Sequence, residues 1–154
     1  MNRAMGFDQG PYLLAAFLCE RVLNETDGVQ SAIRIVDRFT HSVVVDTPNV
    51  PMEPFNHPIT FFLLLKAGVA SGSYNLRITL VKPSGDSPEP FQQPIYFEGD
   101  EDRGVALSLG MVLRLEMPGI HWFDVHLDDV RLTRVPFRVI YMPQVKQTHG
   151  QRGV

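Results

Sequence analysis

Apolar and polar positions alternate along most of this chain. The longest example is VALSLGMVLRLEM, residues 105–117, where every odd position from Val105 to Met117 is apolar while Ser108, Gly110, Arg114 and Glu116 take even positions. A period of two sends successive side chains to opposite faces, which marks a strand with one buried side. YNLRITLVK, residues 74–82, repeats the pattern with Tyr74, Leu76, Ile78 and Leu80. ITFFLLLKA, residues 59–67, is apolar almost throughout, as expected of a central strand covered on both faces. Further strands are predicted over 12–23, 29–37, 40–46, 92–98, 121–128 and 130–141. No helical spacing is sustained over a helix-length window.

The breaks between these segments carry turn chemistry. PSGDSPEP, residues 83–90, holds three prolines and a glycine, and TPNVPMEPFNHP, residues 47–58, holds four prolines. Proline fixes φ and removes a backbone donor, so 47–58 is expected to be an extended connection and not a strand. Asp27-Gly28 suits a hairpin turn. The spacing predicts an all-β fold, an antiparallel sandwich of about 7–9 strands, immunoglobulin-like or C2-like, with a closed barrel as the alternative. One domain over 12–141 is expected, with a leader over 1–11 and a tail over 142–154.

The densest run of potential chemistry is PGIHWFDVHLDD, residues 118–129, with two histidines and three aspartates. As a strand it sends His121, Phe123, Val125 and Leu127 one way and Trp122, Asp124, His126 and Asp128 the other. The two histidines then lie on opposite faces and cannot share a metal. Asp128-Asp129 forms a two-residue hairpin, setting Leu127 beside Val130, Val125 beside Leu132 and His126 beside Arg131. Continued unbroken, that register would push Arg134 into the core, so a bulge near Thr133–Arg134 or a kink before Pro136 is expected. At Pro118-Gly119 the chain either turns a short hairpin, pairing Arg114 with Asp124, or crosses between sheets. The crossing is favoured because both flanking strands carry full apolar faces; His121 would then occupy the place of the tyrosine in a tyrosine corner.

Three stretches carry a resemblance: AFLCERVL near the start, YNLRITLVKPSGD in the middle, and PGIHWFDVHLDDVRLTRVPFRV near the end. They resemble a family of uncharacterised bacterial β-sandwich proteins with an ending of the form PGTYWFxVxLDG…PFxV. The chain departs from that form at His121, where tyrosine is usual, and at Asp129, where glycine is usual. The resemblance implies a fold over most of 12–141 and no activity or catalytic residue.

Composition narrows the function classes. A chain of 154 residues buries about 68–70% of its unfolded surface and needs no metal or disulfide to fold. The net charge is −3, and Lys and Arg are scattered singly, unlike the concentrated charge of a nucleic-acid module. Cys19 is the one cysteine, so no intrachain disulfide forms. The apolar run YLLAAFLC, residues 12–19, falls short of the about 20 residues of a membrane helix and lacks a signal-peptide cleavage site. A cytoplasmic protein that binds neither nucleic acid nor membrane is expected.

Each candidate centre has a plainer explanation. Glu98, Asp100, Glu101 and Asp102 could offer oxygens to Ca²⁺, but Arg103 sits beside them and the EF-hand spacing is absent. Cys19 lies among apolar residues, a setting for a structural thiol. His41, His57 and His149 fall at a strand end, in the proline-rich connection and in the tail. No nucleophile elbow, GxGxxG or Walker motif occurs. No cofactor is implied and catalysis is not expected. Trp122, Asp124 and His126, with Arg131 opposite, make the expected interaction surface, since an outward Trp is either covered by a loop such as 47–58 or offered to a partner. The expected function is a protein–protein or self-association module working through an edge strand or sheet face; a small-ligand or Ca²⁺ module using the end loops is the alternative, and an unrecognised hydrolase a remote one.

Overall fold

The computed structural model describes residues 9–147, and they are all β. Nine strands follow in order: β1 (Tyr12–Asn24), β2 (Gln30–Val36), β3 (Arg38–Val45), β4 (Phe55–Lys66), β5 (Ser71–Val81), β6 (Phe91–Glu98), β7 (Gly104–Leu115), β8 (Gly119–Leu127) and β9 (Val130–Val145). Every segment with period-two alternation became a strand. The expected leader falls outside the described residues up to position 8, and the expected tail does so from 148, His149 included. β9 runs four residues beyond 141, because β3 pairs with it as far as Val45↔Val145.

Two sheets pack face to face. One has the order β2-β1-β4-β7 and the other β3-β9-β8-β5-β6. Seven neighbouring pairs result, and six of them are antiparallel. The expectation of a wholly antiparallel sandwich fails at the seventh, where β3 runs parallel to β9. β3 reaches that place by crossing from β2's sheet at Asp37, and the direction of the crossing sets its sense. Phe61, Phe97, Phe123 and Phe137 are fully buried between the sheets, each contributing about 1.5–3 kcal/mol relative to exposure. β4 is buried on its inner face, and on the outer side Phe62 is buried and stacked on Phe17 at 5.2 Å while Thr60 and Leu64 are half-buried, so the covering of both faces that its sequence predicts is only partial.

Two local expectations are corrected. Residues 55–58 belong to β4 and not to the proline-rich connection. Pro58 fits there because β1 pairs with β4 only as far as Cys19↔Thr60, leaving no second ladder to demand its missing donor. The β8–β9 hairpin pairs Leu127 with Val130 and His126 with Arg131, but Val125 faces Thr133 and not Leu132. Leu132 is the extra residue of a bulge, one position earlier than expected, and it turns Arg134 outward.

The chain does cross between sheets at Pro118-Gly119, since β7 and β8 lie in different sheets. Gly119 has φ 121°, and a Cβ there would sit 3.0 Å from the Pro83 ring. Asp128 has φ 50° and is tied to β5 twice at 2.8 Å, its N–H donating to the Asn75 carbonyl and its Oδ1 accepting from the Asn75 N–H.

Candidate functional site

Cross-strand pairing brings the expected surface residues to one outer face. Trp122, Asp124 and His126 alternate outward on β8, flanked on β9 by Pro136, Arg134 and Arg131 and on β5 by Val81, Thr79 and Arg77. Much of this surface is engaged within the chain. The Arg134 guanidinium lies 4.6 Å from the Trp122 ring centre, and its Nε donates to Asp124 Oδ1 at 2.6 Å. A ring so covered gains cation–π attraction at home. The proline-rich loop is held elsewhere: Tyr141 Oη donates to the Val50 carbonyl at 3.0 Å, and Met52 and Phe55 pack on the core. His126 Nδ1 is buried without a hydrogen-bond partner among the described residues, and burial together with Arg77 pushes its pKa below the ordinary 6.5. Arg77 and Arg134 were missed as members of this face. Their sequence positions are far apart or out of phase, and only the pairing and the Leu132 bulge join them to Arg131.

The acidic loop does not assemble a cation cage. Arg103 reaches Glu98 Oε2 at 2.8 Å and Asp100 Oδ2 at 3.4 Å, so two of the four carboxylates already have a cation. No group of three or more His, Cys, Asp or Glu among the described residues is arranged to hold a metal ion. Cys19 is fully buried, and burial pushes its thiol above the ordinary 9.0, the opposite of what a nucleophile needs. His121 is buried on the inner face of β8, with Nδ1 3.3 Å from the Gly119 carbonyl. His121 and His126 therefore lie on opposite faces, as the alternation requires. Among the described residues no helix is long and apolar enough to cross a membrane.

A feature the sequence did not anticipate lies where β7 borders the other sheet. A cleft of about 590 Å³ opens there, lined by every residue of β7 from 108 to 114 together with residues of β5 and β8, Phe91 of β6, the Pro88-Glu89 segment before it, and the charged Lys82 and Glu116. Since consecutive residues of a strand point to opposite faces, an unbroken run of lining residues means that the cleft follows the edge of β7 left unpaired among the described residues. The apolar face of β7 is only half-buried from Val105 to Met111 and becomes buried at Leu113 and Leu115. Lys82 Nζ bonds Glu116 Oε2 at 3.1 Å near one end of the cleft, joining the two sheets.

β7 differs from the other three sheet edges. β6 carries Pro94 in mid-strand. β2 is interrupted at Arg34, which has φ 52° and lies outside the β1–β2 register. β3 has eight residues. β7 has twelve, all paired to β4 in one continuous register, with Arg114 as its single charge and no proline. Edge strands are commonly blunted by proline, charge or irregularity, and β7 has almost none of these.

Residues 14–140 match a family of unknown function, DUF6941. The chain belongs to that family. All three stretches that carried the resemblance fall inside the DUF6941 match, and so do β2 to β8 in full, including β7 and its cleft. The family description brings no activity. The chain matches no curated protein.

Proposed function

We propose that this DUF6941 protein is a non-catalytic, cytoplasmic binding module that takes an extended polypeptide along the free edge of β7. The observation that carries the reading is the twelve-residue, almost uncharged edge bordering an apolar cleft. A strand added there pairs its backbone with the unpaired groups of β7 and directs alternate side chains into the cleft. In such recognition the main-chain bonds supply affinity and the pockets for alternate side chains supply selectivity.

Substitution separates this route from the outer sheet face. In the native cell, a tagged chain carrying Leu109→Lys and Met111→Lys is expected to lose the partner that the unmodified chain retains, whereas Trp122→Ala keeps it. Retention by the lysine variant, with loss on Trp122→Ala, Asp124→Ala, His126→Ala or Arg131→Ala, moves the site to that face and ends the edge reading. A second reading is a small apolar ligand in the same cleft, favoured by a volume of about 590 Å³, within the usual range of about 300–1,000 Å³ for ligand sites.

A further inference from the structure

We propose that the polypeptide taken up by β7 is the β7 of a second copy, paired antiparallel about a two-fold axis through Gly110. This rests on the edge reading above and names its occupant. The product is one continuous eight-stranded sheet in the order β2-β1-β4-β7 followed by its mirror sequence β7-β4-β1-β2, with both cleft edges filled.

Self-complementarity is the first support. With Gly110 on the axis, Leu109 faces Met111 of the other copy, Leu107 faces Leu113, and Val105 faces Leu115, so every inward pair is apolar. On the outer face Ser108 meets Val112 and Ala106 meets Arg114. Arg114 is the only charge in the strand, so no like charges oppose one another. The cleft borders residues 108–114, and this register lays residues 106–112 of the second copy along it, sending Leu107, Leu109 and Met111 inward. An isologous contact of this kind closes at two copies and stops.

Gly110 supplies the second support. A glycine in a strand interior costs roughly 0.5–1 kcal/mol relative to alanine, and on the axis it leaves the outer face bare where the two copies meet. Nothing among the described residues of a single copy demands it. Its φ is not in the left-handed region, and a Cβ built there meets no atom within 4 Å. Gly110 also floors a shallow depression with Glu20, Pro58, Thr60 and Val112 on the outer face. A two-fold axis through Gly110 joins the depressions of both copies into one trough.

The test uses the full chain. Size-exclusion chromatography with light scattering is expected to give twice the 17.4 kDa of one chain, and Met111→Lys is expected to return the mass to that of one chain with an unchanged far-UV spectrum. Under mild oxidation Gly110→Cys is expected to cross-link to itself, because its partner is the same position of the other copy. Val112→Cys is expected not to, because it faces Ser108. Should Met111→Lys fail to fold, the cysteine pair decides alone. A dimer in which Val112→Cys cross-links as well as Gly110→Cys overturns the proposal. So does a single-chain mass at millimolar concentration. In that case a synthetic peptide of residues 104–115 separates the two ideas: slowed exchange of β7 amides on adding it leaves the edge reading standing without the second copy, and no effect removes both.

Discussion

The two sides of the sandwich, where one sheet's edge meets the other's, are closed by different means. On the β2/β3 side the chain itself steps from sheet to sheet at Asp37, whose carbonyl accepts from the Arg138 N–H at 2.9 Å. Behind that step the rings interleave: Phe39 lies 4.1 Å from His57, and His41 lies 3.9 Å from Phe55 with the planes 11° apart. On the β6/β7 side the chain also crosses, once at residues 99–103 and once at 116–118, but only at the two ends of β7. Between those ends the sheets part and the cleft opens. One side is bridged by stacked aromatic rings, with clefts of about 490 and 570 Å³ beside them; the other opens along a strand edge left unpaired among the described residues. The same amount of alternation in sequence therefore gives a side bridged by rings in one place and an open strand edge in the other.

The largest expected difference is in stability. Phe39→Ala on the β2/β3 side removes a half-buried ring that touches Phe55 and His57 and is expected to cost about 2 kcal/mol. Met111→Ala, at the half-exposed wall of the cleft, is expected to cost about 1 kcal/mol in the single chain, since less area returns to water. Urea denaturation measures both, and equal losses would show the β7 wall to be as well packed as the opposite seam.

Between the two strands on the open side, Pro94 is the device that distinguishes β6 from β7. Pro94→Val is expected to expose a second uninterrupted edge, producing species larger than two copies by light scattering while the unfolding free energy changes by less than about 1 kcal/mol. An unchanged mass distribution would mean that something other than proline protects β6.

The smallest effect is a pH dependence from partly buried histidines, with His57 on the β2/β3 side as its clearest member. Burial pushes the His57 pKa below the ordinary 6.5, partly opposed by Glu20. The unfolded chain therefore takes up the proton first as pH falls. Stability from this group is complete above about pH 6.5, declines as pH drops through that value, and levels off below the folded pKa. His121, buried on β8 with its pKa also lowered by burial, adds a decline of the same sign. His57→Phe is expected to flatten part of the slope of unfolding free energy between pH 7.5 and 5.5, and an identical slope in wild type and variant would assign the acid sensitivity to other groups.

Much of the fold was legible because strand formation leaves a local mark. Val105 to Leu115 announce a strand with two unlike faces, Asp128 announces a turn, and Pro118-Gly119 announces a crossing. The candidate site was less legible. The same alternation that identifies the inward face of β7 predicts a covered face, yet the neighbouring sheet leaves Val105 to Met111 half-exposed. Trp122 read as either covered by a loop or offered to a partner, but its cover is Arg134, which the bulge at Leu132 turns to the same face. His41 and His57, read as a strand end and a loop, both lie within strands and join one ring stack.

By itself the sequence determined where strands run and which way each side chain points, because those follow from backbone geometry over neighbouring residues. Tertiary structure decided which strands lie next to which. It made β3 parallel to β9, gathered Arg77, Arg131 and Arg134 from distant positions onto one face, and placed β7 at an edge beside an apolar cleft. Those outcomes depend on the path by which the chain returns from one sheet to the other, and a repeat of two residues carries no record of that path.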